Sequence, residues 1–537
     1  MDLNEAWAST CRVLLHEEVG PLSDFGPYLK KYVGPVQTRR RSSLSNRPVT
    51  TADDDFGYDV RYISNSEQAE YQKRHSAAFD INSIKDLDSL LSTLQERFIY
   101  SGDVVLGKFH AVERSNRCSI VQYVQDSQDV SDCQYVAHCA MLRQSNYVFG
   151  SDCTGEIDYV IKNFQGWKSQ RMLETTNTQY CSDVYFSANV RYCQECLFSF
   201  NQTGKRHLIG NLELPKDEYF KLKANLLAEM ADELKRKKDI ISIAELLGGP
   251  PRAGKEEKRP KSWNVDEGIS APPYFGRPAD YPASLDSSFA STCQVLLGRP
   301  LPGPMSDYEK WLMRHVRAAP KTKSAMSGRP LWVLPILFNE PVRNTHVALE
   351  EAAEAGRRKL SEADAASLSL SNARSLLSSI ALFTCEVALG QNAQAIHTVS
   401  YSDAVRCFAS STLYDSKDCA YGCWVSHNAE RMFGCDHTFY SQSCIHAYRS
   451  LRLMRCLEVS DSLDSSDCYF CHHVENCQEC LFCFNVKGKR FAIGNVELPR
   501  EDFLRLKKLL LADLAGRLGK DKTLPFSIYS LGARGRS

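Results

Sequence analysis

Cys468-Tyr-Phe-Cys471-His-His-Val-Glu-Asn-Cys477-Gln-Glu-Cys480-Leu-Phe-Cys483-Phe-Asn485 is the stretch on which the fold turns. Upstream of it, Cys444, Cys456, Cys468 and Cys480 recur every twelve residues, and a register three positions later carries Cys435, Ala447, Val459, Cys471 and Cys483. Small or apolar residues fill both registers. A repeat of constant length that returns one side-chain class to one place is what a stacked β-coil needs, because each turn sets a compact residue about 4.8 Å over its counterpart. Short β segments such as Cys468-Tyr-Phe-Cys471 and Val184-Tyr-Phe-Ser187, separated by Asp, Ser and Asn, fit that picture. The expectation is a parallel β-solenoid. Twelve residues are either a whole turn or one of two faces of a turn of about twenty-four, the larger turn leaving more room for an apolar core.

The same message occurs twice. Cys193-Gln-Glu-Cys196-Leu-Phe-Ser-Phe-Asn201, Gly204-Lys-Arg and Ile209-Gly-Asn-Leu-Glu-Leu-Pro215 return as Cys477-Gln-Glu-Cys480-Leu-Phe-Cys-Phe-Asn485, Gly488-Lys-Arg and Ile493-Gly-Asn-Val-Glu-Leu-Pro499, and Cys193 to Cys477 is an offset of 284 residues. Ser9-Thr-Cys11 against Ser291-Thr-Cys293 and Ser45-Asn-Arg-Pro48 against Ser327-Gly-Arg-Pro330 keep nearly that offset. Such a spacing is too long for a short repeat and right for a duplicated domain. The predicted fold class is therefore α+β, as two tandem homologous domains, each a parallel β-solenoid with an N-terminal mixed module and a C-terminal helix.

The first repeat is expected over 1–248, with an opening module at 1–110, a solenoid at 111–211 and a helix at 215–238. The second covers 286–537, with an opening module at 286–397, a solenoid at 398–495 and a helix at 499–519. Leu222, Leu226, Leu227, Met230 and Leu234 in one helix, and Leu506, Leu509, Leu510, Leu514 and Leu518 in the other, recur at helical spacing. Residues 249–285 are rich in Pro, Gly and charge and read as a linker. The 537 residues carry 65 basic and 65 acidic side chains, so no global field draws the chain to nucleic acid or an anionic membrane. Local basic runs at Arg39-Arg-Arg41, Lys235-Arg-Lys-Lys238 and Lys255 to Lys261 are the places where phosphates would be met. The opening residues lack a signal-peptide pattern and no apolar run reaches about 20 residues, so a cytoplasmic or other intracellular setting, without a membrane, is expected.

Twenty-one cysteines without an export signal suggest reduced thiols, metal ligands or small core residues. Projecting one repeat on the other sets Ser151 against Cys435, Cys181 against Ser465, Val184 against Cys468, Ser187 against Cys471 and Ser199 against Cys483. A metal site would not survive such exchanges, whereas a packed core needs only something small, so Cys444, Cys456 and Cys468 are assigned to structure. His472 and His473 resemble ligands but face Ala188 and Asn189 in the first repeat, so a metal site there would belong to one copy only. Cys193, Cys196, Cys477 and Cys480 occur in both. A Cys-x-x-Cys pair supplies half of a tetrahedral zinc site, and three roles stay open for it: packing, zinc and redox. Asn201, Gly210, Asn211, Asn485, Gly494 and Asn495 are polar or flexible positions that both repeats retain. Their expected role is to close the last coil through side-chain-to-backbone hydrogen bonds.

The run from Cys477 to Asn495, followed by a Pro- and acid-led helix, resembles the closing signature of a poorly characterised family of cysteine-rich, β-helical proteins of uncultured candidate-phylum bacteria, archaea and their viruses. That signature resembles C-x-x-C-[LIF]-x-C-x-x-L-[RK]-x-K-x-[YF]-C-I-x-N, with Ala492 and Leu208 standing here where it has its late Cys. The resemblance implies architecture and brings no catalytic residue or cofactor. Phosphate-loop, zinc-protease, nucleophile-elbow and dinucleotide motifs are missing. The expected function is a non-catalytic scaffold or interaction protein in an intracellular or virion-associated assembly, its partner another protein or itself. Two alternatives stand beside it: a zinc-binding, nucleic-acid-associated protein, and a solenoid enzyme acting on a polymer.

Overall fold

A computed structural model of the chain describes residues 1–34, 37–52, 56, 59–248 and 277–533. Residues 249–276 of the expected linker, and with them the basic run at 255–261, lie outside the described residues. The architecture is α+β, with two large sheets of mostly parallel strands and helices around them.

Each large sheet is paired at one spacing. Cys118 pairs with Val130 and Val121 with Cys133, while Met172 pairs with Val184 and Val184 in turn with Cys196. In the second sheet the same step runs from Ile445 to Leu457, Leu457 to Tyr469 and Tyr469 to Leu481. Along most of both sheets a residue therefore pairs with the one twelve positions on. One irregularity occurs where Tyr414 pairs with Ser426 but Ser416 with Ala429; the extra residue falls at His427 and Asn428, both left-handed at φ 66° and 57°.

The dihedral angles explain why so short a register holds. From Arg117 to Tyr147 every third residue has φ between 46° and 57°. A left-handed residue bends an extended chain sharply, and here it divides each twelve-residue register into four three-residue steps. The residue after each bend is buried: Cys118, Val121, Val124, Ser127, Val130 and Cys133 form one such series. With only three residues to a step the interior is narrow, so compact side chains predominate in it, with Met172 and Met432 among the longer ones. Although some side chains on the bends, such as Lys162 and Glu174, are buried, many stand at the surface. Tyr123, Tyr135, Tyr147 and Tyr159 stack there with centroids 4.6 to 5.1 Å apart, and Arg171–Asp183 and Arg455–Asp467 form ion pairs between residues twelve apart.

Helices flank these sheets. Helix α1 (Leu3–Leu15) starts on a capping box in which Asp2 accepts from the Glu5 amide at 2.9 Å and Glu5 from the Asp2 amide at 3.0 Å. Helix α2 (Leu87–Leu94) buries Leu87, Leu90 and Leu94, as its spacing predicts. Helix α3 (Lys216–Lys237) buries Leu226, Leu227, Met230 and Leu234. Helix α4 (Ser284–Leu297) repeats α1, with Cys293 buried where α1 buries Cys11. Helix α5 (Arg500–Asp521) buries Phe503, Leu506, Leu510, Leu514 and Leu518, but Leu509, expected on the same stripe, is exposed, and Leu511 is buried instead. An i, i+4 ladder drifts round the helix, and the drift carries position 509 to the solvent side.

The chain forms two compact units, and each draws on both copies of the sequence. Unit 1 consists of Met1–Val36, Lys108–Glu256 and Pro320–Val387, and unit 2 of Gln37–Gly107, Glu257–Ala319 and Ala388–Ser537. Within unit 1, α1 lies on the sheet that follows it in sequence and on α3; within unit 2, α4 lies on its own sheet and on α5. The middle segments, 37–107 and 320–387, are in each case grouped with the sheet of the other copy.

Candidate functional site: the closing corner of each copy

The positions shared by the two closing signatures assemble one corner in each unit. In unit 1 the last parallel strand, Arg206–Ile209, pairs antiparallel with Leu212–Glu213, so that the chain reverses through Gly210 and Asn211. Both turn residues are left-handed, at φ 58° and 63°, as a two-residue hairpin turn requires. Gly494 and Asn495 make the same reversal at 52° and 74° between Arg490–Ile493 and Val496–Glu497. An antiparallel strand thus ends each parallel stack before the helix begins.

The asparagines complete the corner. Asn211 Oδ1 accepts from the Phe200 amide at 2.7 Å while its Nδ2 donates to the Arg358 carbonyl at 2.8 Å. Asn495 Oδ1 accepts from the Phe484 amide at 2.8 Å, and its Nδ2 donates to the Tyr71 hydroxyl at 3.2 Å and the Phe484 carbonyl at 3.0 Å. Ten residues earlier, Asn201 Nδ2 donates to the Leu382 carbonyl at 2.6 Å and Asn485 Nδ2 to the Ile99 carbonyl at 2.7 Å. Each amide therefore links its own stack to the middle segment of its unit: Asn211 and Asn495 hold a stack amide through Oδ1, while the Oδ1 of Asn201 and Asn485 meets the side chains of Asn189 and His473. Lys205 and Lys489 pair with Glu213 and Glu497 of the returning strands, at 2.9 and 3.1 Å.

The thiols lie behind this corner. Cys193 Sγ donates to the Arg191 carbonyl at 3.2 Å and Cys196 Sγ to that of Gln194 at 3.5 Å. Cys477 and Cys480 do the same towards Glu475 at 3.4 Å and Gln478 at 3.6 Å. All four are buried, and among the described residues no group of three or more His, Cys, Asp or Glu is placed to hold a metal ion. The Cys-x-x-Cys spacing follows from the three-residue step, since consecutive inward positions are three apart. Cys444, Cys456 and Cys468 are likewise fully buried and donate to the carbonyls two residues back.

The Ser-for-Cys exchanges between copies have the same basis. Cys181 Sγ donates to the Gln179 carbonyl and accepts from the Cys193 amide at 3.4 Å; at the matching place Ser465 Oγ donates to Leu463 and accepts from the Cys477 amide at 3.2 Å. Either side chain satisfies the same two backbone groups. Burial raises the thiol pKa of Cys11, Cys293 and Cys435, each pushed up to about 12, which keeps them protonated and unreactive at neutral pH. His472 is buried, with Nε2 accepting from the Ser101 amide at 3.0 Å, and His473 Nδ1 lies 3.2 Å from Asn485 Oδ1.

A cleft of about 560 Å³ opens beside the corner in unit 1, between Asn189–Glu213 and Leu349–Lys359. Arg191, Lys205, Arg357 and Lys359 line it, with Glu213 as its one carboxylate.

Sequence reasoning missed two buried titratable side chains at matching register positions of both units. Lys162 and Glu174, twelve residues apart, are fully buried in unit 1, and His446 and Glu458 occupy the matching places in unit 2. The projection that paired the cysteines also pairs these residues, so charged side chains recurring in both copies of a buried stretch were the available signal. Lys162 Nζ donates to the Lys31 carbonyl at 2.8 Å, and Glu174 accepts from the Tyr28 hydroxyl at 2.9 Å and the Ile243 amide at 2.8 Å. In unit 2, His446 Nδ1 lies 2.7 Å from Glu458 Oε1, and Glu458 accepts from the Ile528 amide at 2.8 Å. No family model, curated protein or solved structure matches the chain.

Proposed function

We propose that the chain is a non-catalytic structural or interaction scaffold built from a duplicated β-solenoid domain of twelve residues per turn. The twelve-residue pairing, the left-handed bend at every third residue and the matching corners support the solenoid and the duplication. One observation carries the functional reading: the side-chain amide nitrogens that both copies retain, at Asn201, Asn485, Asn211 and Asn495, are each engaged by a backbone carbonyl or a buried tyrosine, including Asn201 and Asn211 where they line the cleft. Function then lies on outer surfaces, and a protein partner or a further copy of the chain suits a rigid body of this kind. Among the described residues no helix is long and apolar enough to cross a membrane.

Metal analysis of the purified chain, joined to incubation with polysaccharide and nucleic-acid substrates, tests the reading. The expected result is no bound zinc and no cleavage. Zinc in stoichiometric amount, with loss of structure on chelation, would instead assign Cys193, Cys196, Cys477 and Cys480 to metal and favour a zinc-stabilised, nucleic-acid-associated protein. Cleavage of a polymer would overturn the scaffold reading directly.

A further inference from the structure

We infer that segments 37–107 and 320–387 are reciprocally exchanged arms, and that each closing corner is a self-recognition site whose partner is the arm of a second copy of the same domain. The inference rests on the reading of the chain as a duplication. It adds what the two copies do: they recognise each other, and the chain is the fused form of an arm-exchanged pair.

The arms are built alike. Each opens with an antiparallel hairpin, Gln37–Arg41 with Pro48–Ala52 in one and Lys321–Lys323 with Pro330–Trp332 in the other. Each then buttresses its turn with a Ser–Glu pair, Ser42 Oγ donating to Glu67 and Ser324 Oγ to Glu351. The two glutamates accept a backbone amide as well, from Ser64 at 2.8 Å and from Ala348 at 2.9 Å.

The docking is alike too. Ile99 and Leu382, at matching places in the arms, both present a carbonyl to the corner asparagine, Asn485 or Asn201. The carbonyl of the turn glycine is also taken by the arm: that of Gly210 by the Leu360 amide at 2.9 Å, that of Gly494 by Arg97 Nη1 at 2.7 Å. A Cβ on Gly210 would overlap the Leu360 side chain, and one on Gly494 the Leu94 side chain, so each glycine leaves the room that an arm leucine fills. The arm bearing Leu94 and Ile99 precedes the first sheet in sequence yet docks in the unit of the second; the arm bearing Leu360 and Leu382 precedes the second sheet yet docks in the unit of the first. The opening helices are not exchanged. Tyr28 donates to Glu174 of its own copy, and the Trp311 ring lies 4.6 Å from His446 of its own. Only the middle segment crosses, in both directions, between corners that present the same asparagines and turn glycines.

The test uses the full chain with a specific protease site placed between residues 255 and 270 and cut after purification. Gly210→Cys with Leu360→Cys sets two thiols across the docking site of unit 1, where a Cβ at 210 lies 3.2 Å from that of residue 360. Gly494→Cys with Leu94→Cys does so in unit 2, and serves if the first pair disturbs folding. Of the native cysteines only Cys153 is not buried, so new cross-links report the new thiols. Exchange predicts that the cut fragments co-migrate under native conditions, that both pairs join the two fragments in a non-reducing denaturing gel, and that Gly210→Cys with Leu94→Cys closes no bond. The inference is overturned if the last pair closes within the N-terminal fragment, or if the fragments of the unaltered sequence part in buffer. Either result would leave the scaffold reading standing, since that reading falls only to a bound metal or a turnover.

Discussion

Replacing Asn495 isolates what the corner asparagine does. Its Oδ1 accepts from the Phe484 amide at 2.8 Å, and the residue is 4% exposed, so removal strands a buried backbone donor. An orphaned group of that kind costs about 1–3 kcal/mol. Its backbone sits at φ 74°, where an alanine pays roughly 1 kcal/mol that asparagine partly escapes. Asn495→Ala should therefore lose about 3 kcal/mol, which for a body of this size is a fall of roughly 5–10 °C in the unfolding temperature of unit 2. Asn495→Gly separates the two causes, because glycine adopts the left-handed turn freely but supplies no acceptor. It should lose about 1–3 kcal/mol in urea or thermal denaturation, with the slope in urea unchanged. If Asn495→Gly matched the wild type within about 0.5 kcal/mol while Asn495→Ala did not, backbone strain would be the whole effect and the hydrogen-bond account of the corner would fail.

Three further outcomes follow from the interior. Cys468→Val should be tolerated within about 1.5 kcal/mol, since Val184 already fills the matching place, whereas Cys468→Arg should abolish cooperative unfolding of unit 2 by burying an unpaired charge. Burial raises the folded pKa of Glu174 to about 7, so its contribution to stability is full below the unfolded value near 4.5 and is lost as pH rises to about 7. A urea series should therefore show unit 1 of Glu174→Gln losing less stability than wild type between those limits, and an equal loss would refute it. Glu458 has its folded pKa lowered, despite burial, by His446 beside it, so its contribution is present above the unfolded value and is lost on acidification. Glu458→Gln should accordingly destabilise unit 2 at neutral pH and do so progressively less as the pH falls towards the folded pKa; an effect that grew in acid would contradict the pairing.

The twelve-residue register and the terminal helices were legible because cysteines mark buried positions and leucines mark helical faces. The bends were not. Glycine and asparagine announce left-handed backbone in a sequence, but here Arg117, Ile120, Tyr123, Tyr135, Met141 and Glu156 adopt it, held by pairing above and below rather than by their own preference. Without the bends, turn length stayed open and Cys193-Gln-Glu-Cys196 kept its resemblance to half a zinc site. The corner residues were found because both copies keep them, and their role as backbone anchors was expected. The grouping of each middle segment with the sheet of the other copy was illegible for a different reason. Apolar spacing in Leu87, Leu90 and Leu94 says that a face must be covered, and two nearly identical surfaces were on offer to cover it.

Matching position does not by itself carry matching chemistry, and the buried pair shows why. Glu174 and Glu458 occupy the same register, and each accepts a backbone amide from the segment after its helix, Ile243 or Ile528. Desolvation acts on both in the same direction, towards the neutral acid. The difference is the neighbour twelve residues earlier. Lys162 turns its ammonium to the carbonyls of Tyr28 and Lys31, so Glu174 receives its charge only from a distance and burial prevails. The His446 ring instead meets the carboxylate at 2.7 Å, and there the pairing outweighs burial. Lys in one copy and His in the other, at a fixed place in the stack, thus accompany opposite directions of a neighbour's titration on an unchanged backbone register.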